Sequence, residues 1–207
     1  MFTPMDATPG AGVQVLDGRG IKTARLAETI ALAFLKLAPC GYLVPVDADR
    51  LEVMTCFFEL EVEAAKETGE VLVTGDGAGV SLWVPRSAGS AGVPELTDEL
   101  AAAVGTYAEN FLAFERELVA HSPQTGRFVH LTELAVHPDA QRSGLGTAML
   151  DEIHGRLDKT GATAYLEAAS LELTSFYERF GYRRHGTPIF LPGGINMFPM
   201  VREPLQQ

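Results

Sequence analysis

The chain predicts an α/β or α+β fold built on one sheet. Three observations carry that expectation. Strand-like and helix-like apolar patterns mix along the whole length. Residues 70–74 and 78–84 flank Gly75-Asp76-Gly77, the pattern of a β-hairpin. An apolar run at 131–136 leads through Gln141-Arg142-Ser143-Gly144-Leu145-Gly146-Thr147-Ala148 into an amphipathic run at 147–157, so strand, glycine turn and helix start follow one another.

Taken in order, residues 1–11 are rich in Pro, Gly and Ala and read as a loose tail before a single domain over 12–207. Residues 13–16 form a short strand ended by Asp17-Gly18. Ile21, Ala24, Leu26, Ile30, Ala33, Phe34 and Leu37 recur at helical spacing, and Pro39 and Gly41 stop that helix. A second helix spans 47–67, with Leu51, Met54, Phe58 and Val62 on one stripe. The hairpin follows, then a Gly, Ser and Ala-rich loop at 85–94. Residues 94–121 read as a long helix interrupted at Gly105, and 128–136 as a strand ended by His137-Pro138-Asp139. After the glycine turn and its helix come a strand at 162–168, a short helix at 170–180, and a last pair of strands divided by Pro192-Gly193-Gly194.

Composition excludes several classes. The net charge of −11 is opposite in sign to that of a bulk nucleic-acid binder. It mildly favours a cationic or amine-bearing partner. Lys36 breaks the best apolar run, 30–38, so no membrane span is expected. The start, Met1-Phe2-Thr3-Pro4-Met5-Asp6, lacks the basic and apolar regions of a signal peptide. Cys40 and Cys56 make neither a disulfide framework nor a metal spacing, and read as reduced thiols of a cytoplasmic protein. The five histidines form no H-E-x-x-H or other ligand cluster, so no catalytic metal is expected.

The glycine turn is an anion site in outline. Glycines let the backbone approach a ligand, and a helix start offers free N–H groups and a favourable dipole. A P-loop would need G-x-x-x-x-G-K-S/T, and no lysine follows either glycine. A dinucleotide fold would need a third glycine where Met149 stands, near the start of a βαβ unit rather than two-thirds along the chain. A third pattern, Q/R-x-x-G-x-G/A after a strand, fits Gln141, Gly144 and Gly146.

That pattern resembles the acyl-CoA loop of the GNAT superfamily of N-acetyltransferases. Leu166-Glu167-Ala168 and Phe176-Tyr177-Glu178-Arg179-Phe180-Gly181-Tyr182 look like the later strand and F-Y-E-R-x-G-F segment of that superfamily, in the same order. Ala31-Leu32-Ala33-Phe34, Val80-Ser81-Leu82-Trp83 and Met200-Val201-Arg202-Glu203-Pro204 are similar to puromycin N-acetyltransferase-like actinobacterial members. The likeness is good over 127–204 and loose over 12–37 and 70–85. The resemblance implies a mixed, mostly antiparallel sheet with splayed central parallel strands and helices on both faces. It implies acetyl-CoA as cosubstrate, with Leu134, Ala135 and Val136 offering backbone groups to the pantetheine arm. The N–H groups from Arg142 to Thr147, including Ser143, Gly144, Leu145 and Gly146, would wrap the pyrophosphate. Arg142 would add charge, and the Thr147 hydroxyl would bond a phosphate or cap the helix.

Transfer of an acyl group to an amine needs a base for the ammonium and an acid for the departing thiolate. The resemblance places Tyr177 at the acid position. Glu133 and Glu167 are the candidate bases, each a glutamate in an otherwise apolar strand; His130 is a third. Alternation puts Glu133 on the opposite face from Leu134 and Val136 unless a bulge intervenes. One departure stands out: Leu173 and Ser175 occupy positions where relatives carry Asn and Pro, with Ser170 or Ser175 as replacement donors toward the cofactor. No activated cysteine is evident, so direct attack is expected. The expected acceptor is a small-molecule primary amine. The alternatives are a non-catalytic CoA-binding module, or a protein lysine or N-terminal acetyltransferase. The acceptor and the oligomeric state stay open, a homodimer being the commonest soluble oligomer.

Overall fold

A computed structural model describes residues 13–75, 77–89 and 94–205. The expected tail at 1–11 and Asp76 of the hairpin turn lie outside the described residues. The elements in order are β1 (Val15–Asp17), α1 (Thr23–Phe34), α2 (Ala38–Leu43), α3 (Asp47–Thr68), β2 (Glu70–Thr74), β3 (Gly79–Ser87), α4 (Asp98–Val104), α5 (Ala108–His121), β4 (Arg127–Val136), α6 (Leu145–Thr160), β5 (Thr163–Ala168), α7 (Leu171–Glu178), β6 (Arg183–Arg184), β7 (Ile189–Leu191) and β8 (Ile195–Arg202). The strands lie in the order β1-β2-β3-β4-β5-β8-β6, with β7 on the early part of β8. Every pairing is antiparallel except β4 with β5. This is the mixed, mostly antiparallel sheet the resemblance implied.

Alternation along β3 distributes its side chains between two cores. Val80, Leu82 and Val84 face a core made with α1, α3, α4 and α5. Trp83 faces the other core, with Leu150, Ile153 and Leu157 of α6 and Tyr177 of α7. Helices therefore cover both faces of the sheet. On the first face, Leu26, Ala27, Ile30 and Ala31 of α1 meet Met54, Phe58, Val62 and Ala65 of α3. The stripe expected on α3 holds from Met54 onward, but Leu51 is 39% exposed, a turn before the stripe engages. Trp83 is fully buried, and its indole N–H donates to the Ser81 hydroxyl at 3.0 Å. Truncation of such a residue to Ala costs about 3–5 kcal/mol.

Three local expectations need correction. Pro39 and Gly41 are not what stops the first helix: α1 ends at Phe34, and both lie in α2, with Pro39 in its first turn, where its missing N–H is harmless. β3 runs on to Ser87 rather than stopping before Pro85: its pairing with β2 ends at Glu70–Trp83, and the later stretch pairs with β4 alone, an edge position that tolerates Pro85. The C-terminal pair of strands is three, β6 preceding the hairpin of β7 and β8. The interruption at Gly105 is as expected: a short 3-10 turn separates α4 from α5, and Gly105 has φ +53°.

Two features of β4 shape the centre of the molecule. It pairs with β5 only from Phe128 to His130, opposite Thr163 to Tyr165, and then diverges. Residues 131–136 thus leave the edge toward β5 without a partner strand. Against β3, Leu82 pairs with Glu133 and Trp83 with Leu131, so Thr132 is an extra, bulged residue. The bulge reverses alternation. Leu131 joins the α6 core, while Ala135 joins the core of α1 and α3. Among the described residues, no helix is long and apolar enough to cross a membrane.

Candidate active site

A cavity of about 850 Å³ starts at the glycine turn, passes the gap between β4 and β5, and ends against α1, α3 and α5. Its donor end is built by the start of α6. Gly144 has φ +87°, which only glycine adopts without strain. Gly146 has an ordinary helical backbone, and a Cβ there would lie 3.8 Å from Phe176, an ordinary contact. Neither strain nor packing needs Gly146 bare, so its bareness leaves room in the cavity it lines. No side chain caps α6, and its first intrahelical bond runs from Ala148 N–H to the Gly144 carbonyl at 3.0 Å. The N–H groups of Leu145, Gly146 and Thr147 therefore have no partner within the helix. Arg142 is the one non-glycine residue of positive φ among those described, at 63°, and curls the turn before the helix.

The other expected donor-side residues divide. Leu134, Val136, Gln141, Arg142, Gly144, Leu145 and Thr147 line the cavity with Gly146. The Gln141 amide donates to the Val136 carbonyl at 3.3 Å and fastens the turn to the strand end. Ser143 turns its hydroxyl back onto the Ala140 carbonyl, away from the wall. Ser170 caps α7 by accepting the Leu173 N–H at 3.3 Å, and Leu173 itself lines the cavity. Ala135 is buried among α1 and α3. An uncapped helix start beside an unpaired strand edge fits the pyrophosphate and extended arm of an acyl-CoA.

Tyr177 reaches the cavity from α7, beside Leu134 and Leu166. Its ring is buried against Phe176 and Tyr182, and burial pushes its hydroxyl well above the ordinary phenol range. No hydrogen bond among the described residues occupies that hydroxyl. Cys40 also lines the cavity, but burial pushes its thiol up to about 12, the opposite of what a nucleophile needs.

The far end is acidic. Glu133 of β4 and Glu167 of β5 are both there, joined by Glu61 of α3 and Glu115 of α5. The Thr132 bulge turns Glu133 to the same face as α3, and the Thr132 hydroxyl donates to its carboxylate. Burial, and then the Glu61 charge, raise Glu133 well above the usual carboxylate range. Burial followed by the Glu115 charge raises Glu61 to about 7. Glu115 is raised as well, by burial and then by Glu167, although its side chain is exposed at the cavity wall. Glu61 and Glu133 feel each other and titrate as a unit. His130, at the last paired position of β4, bonds Glu167 through Nε2 and Oε2 at 2.8 Å. The other Glu167 oxygen is buried and makes no hydrogen bond; the nearby Tyr165 hydroxyl donates to the His121 carbonyl at 3.3 Å. Arg86 stands exposed at the rim. Among the described residues no three ligating side chains converge closely enough to hold a metal ion.

Sequence reasoning missed Glu61 and Glu115, yet a signal exists. Glu61 lies three residues after Phe58 and four before Ala65, on the buried stripe of α3. Glu115 lies four after Phe111 and three before Leu118, on the inner side of α5. A carboxylate on an apolar helical stripe is the helical counterpart of a glutamate inside an apolar strand.

The fold and cleft define an acetyltransferase. Residues 96–204, more than half of the chain, match the family described as "Acetyltransferase (GNAT) domain". The chain belongs to the GNAT acetyltransferases. Among solved structures it is similar to a Corynebacterium glutamicum protein described as histone acetyltransferase HPA2 and related acetyltransferase, at 21% identity and a TM-score of 0.66, over 94% of this chain and 98% of that one. Arylalkylamine N-acetyltransferase 2 of Aedes aegypti is similar at 11% identity and a TM-score of 0.59, over 93% and 99%. An agmatine N-acetyltransferase, as the apo form of a point mutant, is similar at 15% identity and a TM-score of 0.58, over 92% and 99%. At these identities the likeness is one of fold.

Proposed function

We propose that this chain transfers the acetyl group of acetyl-CoA to the primary amine of a small molecule. One observation carries the reading: a single cavity is lined by an uncapped helix start, by a cluster of carboxylates and by Tyr177. The glycine turn would hold the pyrophosphate through the N–H groups of Leu145, Gly146 and Thr147, with Arg142 adding charge. The free edge of β4 at Leu134 and Val136 would bond the extended arm. Two of the structural relatives act, by description, on arylalkylamines and on agmatine, both amines of low mass.

The chemistry follows from the groups present. Glu133 takes a proton from the ammonium of the acceptor; its raised affinity for protons suits that task. The freed nitrogen lone pair forms a C–N bond to the thioester carbonyl carbon. The C–S bond breaks with its electron pair on sulfur, and Tyr177 gives its hydroxyl proton to that sulfur. Two protons leave nitrogen and one reaches sulfur, so one is released to solvent for each amide formed. Tyr177 is then reprotonated from the cleft. With Cys40 held as an inert thiol, attack is direct. We read residues 12–207 as one acyltransferase domain, nearest in pattern to the puromycin N-acetyltransferase-like members.

Release of free CoA thiol across a panel of small amines tests this. Thiol release with at least one amine, and its loss in Gly144→Asp together with calorimetric acetyl-CoA binding, is the expected result. A Cβ at Gly144 meets nothing in the protein within 4 Å, so the loss would come from backbone strain at φ +87° and from like charge toward phosphate. Unchanged affinity in that variant would overturn the loop assignment. Tight acetyl-CoA binding with no thiol release from any amine would instead mark a non-catalytic binding module.

A further inference from the structure

The acidic end of the cavity holds more carboxyl groups than one reacting amine can use. Glu61, Glu115, Glu133 and Glu167 come from four different elements and face one space. Glu167 contacts His130 at 2.8 Å, and Arg86 at the rim acts on Glu61 and Glu115 only at a distance. Among the described residues no ion pair reaches Glu61, Glu115 or Glu133. The reacting ammonium answers Glu133, which leaves Glu61 and Glu115. A second independent feature points to a missing donor: the Glu167 side chain is only 6% exposed, lines the cavity, and has one oxygen with no hydrogen bond. Buried acceptors of that kind are ordinarily satisfied. The acids do not converge into a metal cage, so a larger, more diffuse cation fits them better. Between the acids the wall is apolar, with Phe57, Phe114 and Leu118.

On the N-acetyltransferase reading above, we propose that the acceptor is a diamine with an apolar spacer. One ammonium is delivered to Glu133 and Glu167 beside the thioester and is acetylated. The other stays charged between Glu61 and Glu115, where α3 and α5 close the cavity, and the spacer lies along the aromatic wall. The second ammonium takes no part in bond making; it selects and orients the acceptor.

The test compares octylamine with 1,6-diaminohexane and 1,8-diaminooctane as acceptors, following CoA thiol release with the full-length protein. At least one diamine is expected to exceed octylamine by about tenfold or more in kcat/KM, with a KM that rises more steeply with salt. In Glu115→Gln the ratio should fall toward one; thermal melting checks that the variant is folded, which removal of one of several like charges favours. Octylamine acetylated as well as both diamines would overturn the diamine inference and leave the N-acetyltransferase reading standing. A diamine preference that survives both Glu115→Gln and Glu61→Gln would overturn the assigned subsite. Acetyl-CoA binding without thiol release from any amine would overturn both readings together.

Discussion

On the α6 side of the sheet, Arg202 is 4% exposed and grips Asp158 through its two terminal guanidinium nitrogens, at 2.7 and 2.8 Å. Its Nε donates to the Phe180 carbonyl, and the Leu205 N–H donates to the same Asp158. On the α3 and α5 side, four glutamates face one cavity with a rim arginine and a single histidine. The first cluster is satisfied within the chain, and its carboxylate is pulled down to about 2 by the Arg202 hydrogen bonds. In the second, Glu61, Glu115 and Glu133 have no ion pair among the described residues, and those three carboxylates are pushed up. The same residue types thus serve opposite ends. A buried charge with its partners in place pins β8 to α6; a buried charge without them is a demand for a ligand.

The largest expected effect breaks the satisfied side. Arg202→Met leaves Asp158 largely buried and unpaired, which costs about 3 kcal/mol. The midpoint of urea unfolding should fall accordingly, with an unchanged slope. Arg202→Met combined with Asp158→Leu should recover much of the loss, since no lone charge remains. A loss under about 1 kcal/mol in the single variant would mean that the pair is ornamental and that the contrast between the two clusters is false.

A somewhat smaller effect sits at the seam. Tyr177 is buried like the α6-side core, yet its hydroxyl has no hydrogen-bond partner among the described residues. Tyr177→Phe should therefore leave stability within about 1 kcal/mol. It should lower kcat about 100-fold if the hydroxyl supplies the proton to sulfur, with acetyl-CoA affinity held within about threefold. Equal loss of turnover and affinity would make Tyr177 a packing residue on the donor wall.

The donor half of this cavity was legible because local chain geometry builds it. Gly144 and Gly146 announce a helix start that a ligand approaches, and the strand before it can be read from alternation. The Thr132 bulge was not legible. It arises from the β3 register, a long-range pairing, and it alone decides that Glu133 turns toward α3. The acceptor half escaped for a related reason. Glu61 and Glu115 are 54 residues apart on helices that look amphipathic and ordinary; only their packing against β4 and β5 turns two stripe anomalies into one site. Pro39 misled because a proline that ends one helix also suits the first turn of the next. His130 and Glu167, weighed singly as candidate bases, turn out to be partners.

The smallest effect separates the clusters by the sign of their pH dependence. Asp158 titrates near 2 in the folded chain against 3.8 unfolded. Its stabilisation is full above about 3.8 and is lost as pH falls toward 2. Glu61 titrates near 7 folded against 4.5 unfolded, so between those values the folded state holds more protons. Its stabilisation is full below about 4.5 and is lost as pH rises through 7. Burial and then Glu115 push Glu61 this way, while Arg86 and His130 oppose them; Glu133 faces the same group and is itself raised by it. Glu61→Gln removes this titration. From pH 4.5 to pH 7 the variant should gain on the wild type, by no more than about 1.4 kcal/mol per pH unit for one proton, and the two should converge below about pH 4.5. His154, buried neutral and lowered to about 4, gives an opposite slope, but it is common to both proteins and cancels in the difference. A saturating diamine should narrow the gap at pH 8, because the ligand compensates the charge that the substitution deletes. A gap independent of pH would show that Glu61 does not carry the proton, and that the acidic wall is no more strained than the paired side of the sheet.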